Sequence, residues 1–209
     1  MKALKSEYRK KKKHIEERLN EFRRVGAGAN EDIFAELCFC LLTPQSRAVY
    51  CDKAVKELKR EGLLLKGSEG VVKSRLKGVR FPNNKAAYLV AARKLFKSKG
   101  APDVKSKIDA GDIFKTREWL VTNVKGLGYK EASHFLRNIG LGGDIAILDV
   151  HVLKSLKERG VIKKVPASIS KKVYLETEEK MRVFSRKINI PLEALDLLFW
   201  SGETGFIFK

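Results

Sequence analysis

A lysine and an aspartate nineteen residues apart carry the sharpest chemical signal in the chain. Lys130 follows the glycine turn Gly126-Leu127-Gly128 in VTNVKGLGYKEASHFLRNIG and stands at the mouth of an amphipathic segment. A cation at an exposed helix N-terminus is disfavoured by roughly 0.3–1 kcal/mol, which works toward the neutral amine that a nucleophile needs. Asp149 lies in GGDIAILDVHVLKSL, where the apolar run IAIL meets the next helix. A carboxylate there caps that helix. Delivered beside an amine, it can also stabilise positive charge developing on a sugar, the electrostatic problem of glycosidic cleavage. Taken singly, each residue has a plainer use: Lys130 as a surface contact to phosphate, Asp149 as an N-cap.

The turn is a second signal. TREWLVTNV reads as a helix, KGLGY as a tight turn and KEASHFLRNIG as a second helix ended by Gly140. Glycine at both turn positions permits positive φ and close approach of the backbone to a ligand. Exposed N–H groups at the start of the second helix suit a phosphate oxygen. Such a helix–hairpin–helix, spanning about 117–139, can grip a DNA strand by its backbone without reading sequence. Lys125, Gly126, Leu127, Gly128 and Tyr129 are its candidate contacts. A lone G-x-G turn is equally an ordinary link between helices, so the composition has to weigh in.

It does. The 209 residues include 44 Lys and Arg against 25 Asp and Glu, a net charge of +19 and a pI near 9.9. Each basic residue that neutralises a phosphate releases condensed counterions, so this excess favours a polyanionic partner. A surface laced with thermophile-type ion pairs predicts near balance instead. Hydrophobic residues make up 44% of the chain, enough for a folded core. No apolar run reaches the ~18 residues of a membrane span, and MKALKSEYRKKKKHIEERL has no signal-peptide core. A cytoplasmic protein with no membrane partner is expected. Cys38, Cys40 and Cys51 are an odd number in one apolar neighbourhood, expected as reduced, buried hydrophobes. Cys38-x-Cys40 has no CxxC partner, so no metal site is expected.

Helices must position these groups. Residues 2–24 carry one sparse apolar stripe amid charges, with RKKKKH as a solvated face. EDIFAELCFCLL, 31–42, reads as a buried helix interrupted by Thr43-Pro44. SRAVYCDKAVKELKREG makes a helix ended by Gly62. NNKAAYLVAARKLFKSKG makes another, with Asn83 or Asn84 as cap and Gly100 as stop. Further helices fit about 113–123, 130–139, 150–159, 170–186 and 191–200. The reading is all-α with about nine helices, no competing strand pattern and no tandem repeat.

The hairpin KGLGYK, its spacing to LDVH and the upstream LLTPQS resemble the helix–hairpin–helix base-excision DNA glycosylases. Within that superfamily (HhH-GPD, endonuclease III-like), GYKEASHFLRNIG, RFPNNKAAYLV and FWSGETGFIFK are similar to the compact archaeal-type 8-oxoguanine DNA glycosylases/AP lyases. The resemblance runs from about Asp32 to Lys209. Endonuclease III-like relatives usually end in a four-cysteine iron–sulfur motif, and no cysteine follows Cys51 here, so no cluster is implied. Larger eukaryotic-type oxoguanine glycosylases add an N-terminal β-domain, for which residues 1–30 leave no room.

The resemblance implies two helical lobes, 1–44 with 146–209 and 45–145, and a cleft for a base flipped out of the duplex. Lys130 would attack C1′, displace the base and form a Schiff base; β-elimination would then nick the strand 3′ to the lesion. Asp149 would orient the amine and stabilise oxocarbenium-like charge. Gln45 would enter the gap left by the flipped base, and Phe81 and Trp200 would sandwich that base. Lys209 would help distinguish 8-oxoguanine from guanine. His134 and His151 read as structural neighbours of the site. No cofactor is required by the resemblance, although hairpin carbonyls in such proteins often hold a monovalent cation. The implied partner is duplex DNA containing damaged guanine, bound by a monomer. Alternatives are a glycosylase for an oxidised pyrimidine or mismatched base, a non-catalytic DNA-binding module and a basic RNA-associated helical protein.

Overall fold

The sparse stripe of the N-terminal segment is what folds it: Leu4, Ile15, Leu19 and Phe22 are buried along one face of α1, Lys2–Ala27. Arg9, Lys10, Lys12, Lys13 and His14 of the basic run stay exposed, as a solvated face should. This computed structural model describes residues 2–209, apart from the side chains of Glu203 and Thr204. Eleven α-helices are seen among the described residues. Those after α1 are α2 (Asn30–Leu42), α3 (Ala48–Arg60), α4 (Leu63–Lys66), α5 (Glu69–Arg75), α6 (Pro82–Phe96), α7 (Ile113–Asn123), α8 (Tyr129–Asn138), α9 (Val150–Glu158), α10 (Lys171–Ile188) and α11 (Leu192–Thr204). The all-α class stands.

Three details depart from the sequence reading. The short helices α4 and α5 fall in a segment to which no helix was assigned; α5 is capped by Ser68, whose hydroxyl accepts from the Val71 N–H. Neither Asn83 nor Asn84 caps α6: Pro82 is its first residue and Phe81 its cap. Proline suits that position because its missing N–H has no helical acceptor there anyway. The same helix stops at Phe96 instead of Gly100. Lys97–Ser98 and Ala101–Pro102 pair as a two-residue antiparallel ribbon, β1 and β2, with Gly100 in its turn at φ +90°.

The chain forms two compact units, Met1–Arg24 with Leu136–Lys209 and Val25–Phe135. In the second, α2 is the central rod: Leu37, Cys38, Phe39, Cys40 and Leu42 are wholly buried, with α3 and α6 packed against it. Residues 25–44 therefore pack with the segment that follows them, whereas the lobes drawn from sequence set them with the termini. All three cysteines are buried thiols outside any disulfide. Burial pushes the Cys51 thiol up to about 11 and raises that of Cys38 further, so both behave as small hydrophobes. In the first unit, α11 packs on α9 and α10.

Candidate active site

The hairpin is built by three local contacts. The Val124 N–H donates to the Leu120 carbonyl at 2.9 Å, ending α7, and the Leu127 N–H donates to the Val124 carbonyl at 3.1 Å, closing the turn. Leu127 is buried and anchors the turn to the core. Gly126 sits at φ +88°, and a Cβ on it would lie 2.4 Å from the Tyr88 ring. Both conformation and space therefore demand glycine. Gly128 differs from expectation, because its φ lies outside the left-handed region; a Cβ there would come 3.1 Å from the Glu131 carboxylate. Lys125, Gly126 and Gly128 are exposed. Tyr129 turns its hydroxyl to both Glu118 carboxylate oxygens, at 2.6 and 2.7 Å, fastening α8 to α7.

Lys130 is the second residue of α8. Its ammonium pairs with the Glu131 carboxylate at 2.9 Å. His134, one turn on, is buried with its ring edge-on to Phe39 at 5.5 Å, a packing role.

Asp149 is positioned by a device that spans the first unit. The preceding segment 145–148 is buried and lies outside any helix or strand, so its backbone needs other partners. Side chains of α10 supply them at i, i+4 and i+8. The Tyr174 hydroxyl donates to the Ala146 carbonyl at 2.6 Å, and Glu178 accepts the Ala146 N–H at 2.8 Å. Arg182 donates to the Asp144 carbonyl at 2.6 Å. This stripe delivers Asp149 as the N-cap of α9, accepting the Val152 N–H at 2.8 Å with one carboxylate oxygen. The second oxygen accepts the Trp200 indole N–H, also at 2.8 Å. His151 stands edge-on to the same indole at 6.0 Å. One turn before Trp200 on α11, buried Asp196 pairs with Arg137 at 3.1 Å, and the Arg137 guanidinium lies over Phe22. Burial pushes the Asp196 carboxyl up to about 6, opposed by Arg137 and reinforced by Asp149.

Gln45 and Phe81 share an uncommon backbone. Both are exposed, and both hold left-handed φ, +55° and +56°. Such a conformation costs a residue with a side chain about 1–2 kcal/mol, and strain of this kind gathers at functional sites. Guanidinium groups stack nearby: Arg80 over Phe81 at 5.3 Å and Arg47 over Tyr50 at 5.3 Å. At the other end of the chain, Lys209 is half-buried beyond an edge-on Phe206–Phe208 pair. Phe206 and Ile207 line a cavity of about 360 Å³ with Lys11, His14 and Arg18 of α1.

Comparison with known proteins decides what this constellation is. The family model described as 8-oxoguanine DNA glycosylase matches residues 15–190. The chain belongs to the 8-oxoguanine DNA glycosylase family. An 8-oxoguanine DNA glycosylase/AP lyase of Fusobacterium nucleatum is 44% identical, the match covering 97% of this chain and 94% of that one. The Methanocaldococcus jannaschii protein of that name is 38% identical over 93% and 91%. Among solved structures, the Thermotoga maritima 8-oxoguanine DNA glycosylase superposes with a TM-score of 0.89 at 37% identity, covering 100% of this chain and 97% of that one. The M. jannaschii glycosylase/lyase in complex with 15mer DNA containing 8-oxoguanine gives 0.88 at 35% identity, both chains being covered in full.

In this glycosylase the structure joins Trp200 to Asp149 and sets Lys130 directly after the hairpin turn. Lys130 and Phe81 belong to the second unit, Asp149, Trp200 and Lys209 to the first. Sequence reasoning missed the Tyr174, Glu178 and Arg182 stripe. Its only trace is a polar Y-x3-E-x3-R spacing inside an amphipathic helix, which looks like any solvated face. Arg47, Tyr50 and Arg80 were missed for want of a motif. Among the described residues no group of three or more His, Cys, Asp or Glu side chains can hold a metal, and no helix is long and apolar enough to cross a membrane.

Proposed function

We propose that Lys130 is the nucleophile and Asp149 the electrostatic partner with which this family member removes 8-oxoguanine from duplex DNA and nicks the strand. The protein is a bifunctional DNA glycosylase and AP lyase of base-excision repair. Its observed support at the level of residues is the carboxylate of Asp149. A helix cap needs one oxygen; here the second is aimed as well, by an indole fifty-one residues away. Fixing both oxygens pre-organises negative charge for a sugar that becomes cationic, at no reorganisation cost in the reaction.

The chemistry then follows from an amine nucleophile. The neutral Lys130 amine bonds to C1′ as the glycosidic bond breaks, and the base leaves with the bonding electrons and takes up a proton. The nitrogen gives up a proton and its lone pair then expels O4′, which takes up a proton, so that the sugar ring opens to a protonated imine. That imine acidifies the C2′ proton, whose removal expels the 3′ phosphate. Gln45 fills the vacated stack, while Phe81 and Trp200 offer aromatic faces to the extruded base, each worth about 1–3 kcal/mol. Exposed backbone at Lys125, Gly126 and Gly128, with Tyr129 and the backbone of Leu127, carries the phosphate contact of the hairpin. Its carbonyls suit a monovalent cation, since hard cations prefer oxygen ligands, and such an ion would add positive charge beside a phosphate. Lys209, held by its apolar tail, reads the edge of the base, because a buried polar group left unpaired rejects the wrong analogue strongly. One chain supplies every one of these groups, which supports action as a monomer.

Borohydride trapping tests the proposal. Reduction of the imine should give a covalent complex with an 8-oxoguanine duplex and none with undamaged DNA, and Lys130→Gln should abolish it. An adduct that survives the substitution would assign the nucleophile to another amine.

A further inference from the structure

The mechanism makes no use of the most thoroughly buried lysine in the second unit. Lys85, on the first turn of α6, is 3% exposed. Its ammonium donates to the Leu42 carbonyl at 2.6 Å, the Pro44 carbonyl at 2.7 Å and the Ser46 hydroxyl at 2.9 Å. An ammonium has three donors, so all three are used, and all three close on the turn that carries Gln45. The Ser46 hydroxyl also accepts the Arg80 N–H at 2.9 Å, tying that turn to the residue before Phe81. Lys85 therefore sits at the hub of two turns whose exposed residues, Gln45 and Phe81, are both in left-handed conformations.

Burying a cation costs free energy unless it is paired or hydrogen-bonded in full, and burial lowers the pKa of Lys85 from its usual 10.5. A helix start needs no such group for stability. Two strained residues persist only where surroundings over-determine them, and the Lys85–Ser46 hub is what over-determines this pair.

We infer that Lys85 is a positioning residue, which locks the Gln45 and Phe81 turns into one rigid unit so that filling the gap and engaging the flipped base happen together. The inference rests on the assignment of Gln45 and Phe81 to the DNA surface. Lys85 makes all its hydrogen bonds to the turn, and its link to Lys130 is charge repulsion alone. It acts on the step in which a base leaves the stack, and not on the chemistry of an already open sugar.

The test separates those two steps. Lys85→Met keeps most of the length of the side chain and removes its donors; Ser46→Ala removes the acceptor shared by Lys85 and the Arg80 N–H, leaves the Lys85 bonds to Leu42 and Pro44 in place, and spares the fold if the methionine variant is unstable. Single-turnover base release from an 8-oxoguanine duplex should fall roughly 10- to 100-fold in Lys85→Met, in line with the cost of an ångström-scale misplacement, and by less in Ser46→Ala. A 2-aminopurine placed beside the lesion, whose fluorescence rises on unstacking, should show the same loss. Nicking at an abasic site in single-stranded DNA should stay within about twofold, since no base has to be extruded there. In a Gln45→Ala/Phe81→Ala background, Ser46→Ala should add nothing further. Equal losses in both activities, or no loss in either, would overturn the inference. If Gln45→Ala and Phe81→Ala lower duplex excision while Lys85→Met and Ser46→Ala do not, the positioning role alone fails. If Gln45→Ala and Phe81→Ala are themselves silent, the assignment beneath it fails too.

Discussion

Replacing Gly126 by alanine puts two separable costs on the hairpin. The backbone stays at φ +88°, where a residue with a Cβ is disfavoured by about 1–2 kcal/mol. The new methyl also lands 2.4 and 2.6 Å from two carbons of the Tyr88 ring, well inside van der Waals contact. Overpacking of this kind costs about 1–3 kcal/mol. Together they amount to about 2–5 kcal/mol, or a fall in melting temperature of roughly 4–20 °C for a chain of this size. Tyr88→Ala removes the obstacle and leaves the dihedral cost in place. Thermal and denaturant unfolding of the two single variants and the double variant therefore form a cycle, whose coupling energy should equal the overpacking part, about 1–3 kcal/mol favourable. Duplex affinity measured on the same four proteins should follow the hairpin: lowest in Gly126→Ala and partly restored in the double variant. A Gly126→Ala protein that melts within about a degree of wild type, or single effects that simply add, would show that Tyr88 does not shape the turn.

Two further outcomes are expected. Trp200→Phe keeps an aromatic ring but takes the N–H from Asp149, so base release should drop about tenfold with little change in stability. Asp149→Asn keeps the α9 cap, since asparagine caps as well as aspartate, yet should slow base release by orders of magnitude; wild-type rates in a folded Asp149→Asn protein would reduce Asp149 to a cap, and wild-type rates in Trp200→Phe would remove the indole from its aiming. The last prediction concerns pH. The folded-state value of Asp196, about 6, lies above the ordinary 3.8, so the folded protein holds this proton where the unfolded chain has released it. Its contribution to stability is full below 3.8 and is lost as pH rises through about 6, on the order of 3 kcal/mol in all. Unfolding of wild type and Asp196→Asn compared between about pH 4 and 8 should show wild type losing ground as pH rises. The slope is the measure, because the unpaired Arg137 left by the substitution adds only a constant offset, and a flat difference would refute the assignment.

Much was legible in the sequence because it rests on local physics. The all-α class came from apolar periodicity, and the hairpin from glycines between two amphipathic runs. Lys130 was marked by its place after that turn, and Asp149 by standing between a buried run and a helix. Even so, local rules misjudged Gly128, which does not take the positive φ expected of it. They also misjudged the start of α6, where proline pre-empted both asparagines.

Tertiary structure alone decided what those residues do for one another. Trp200 reaches Asp149 across fifty-one positions, Glu178 reaches Ala146 across thirty-two, and Lys85 reaches Pro44 across forty-one. No periodicity encodes such a meeting, because Trp200, Glu178 and Lys85 are each unremarkable within their own helices. The partners meet only after loops close and apolar faces pack, and a buried polar group then has to find whatever donor or acceptor the packing brings to it. The sequence could therefore single out a candidate nucleophile and a carboxylate. The fold determined that the carboxylate is aimed, and that Gln45 and Phe81 hold a left-handed backbone.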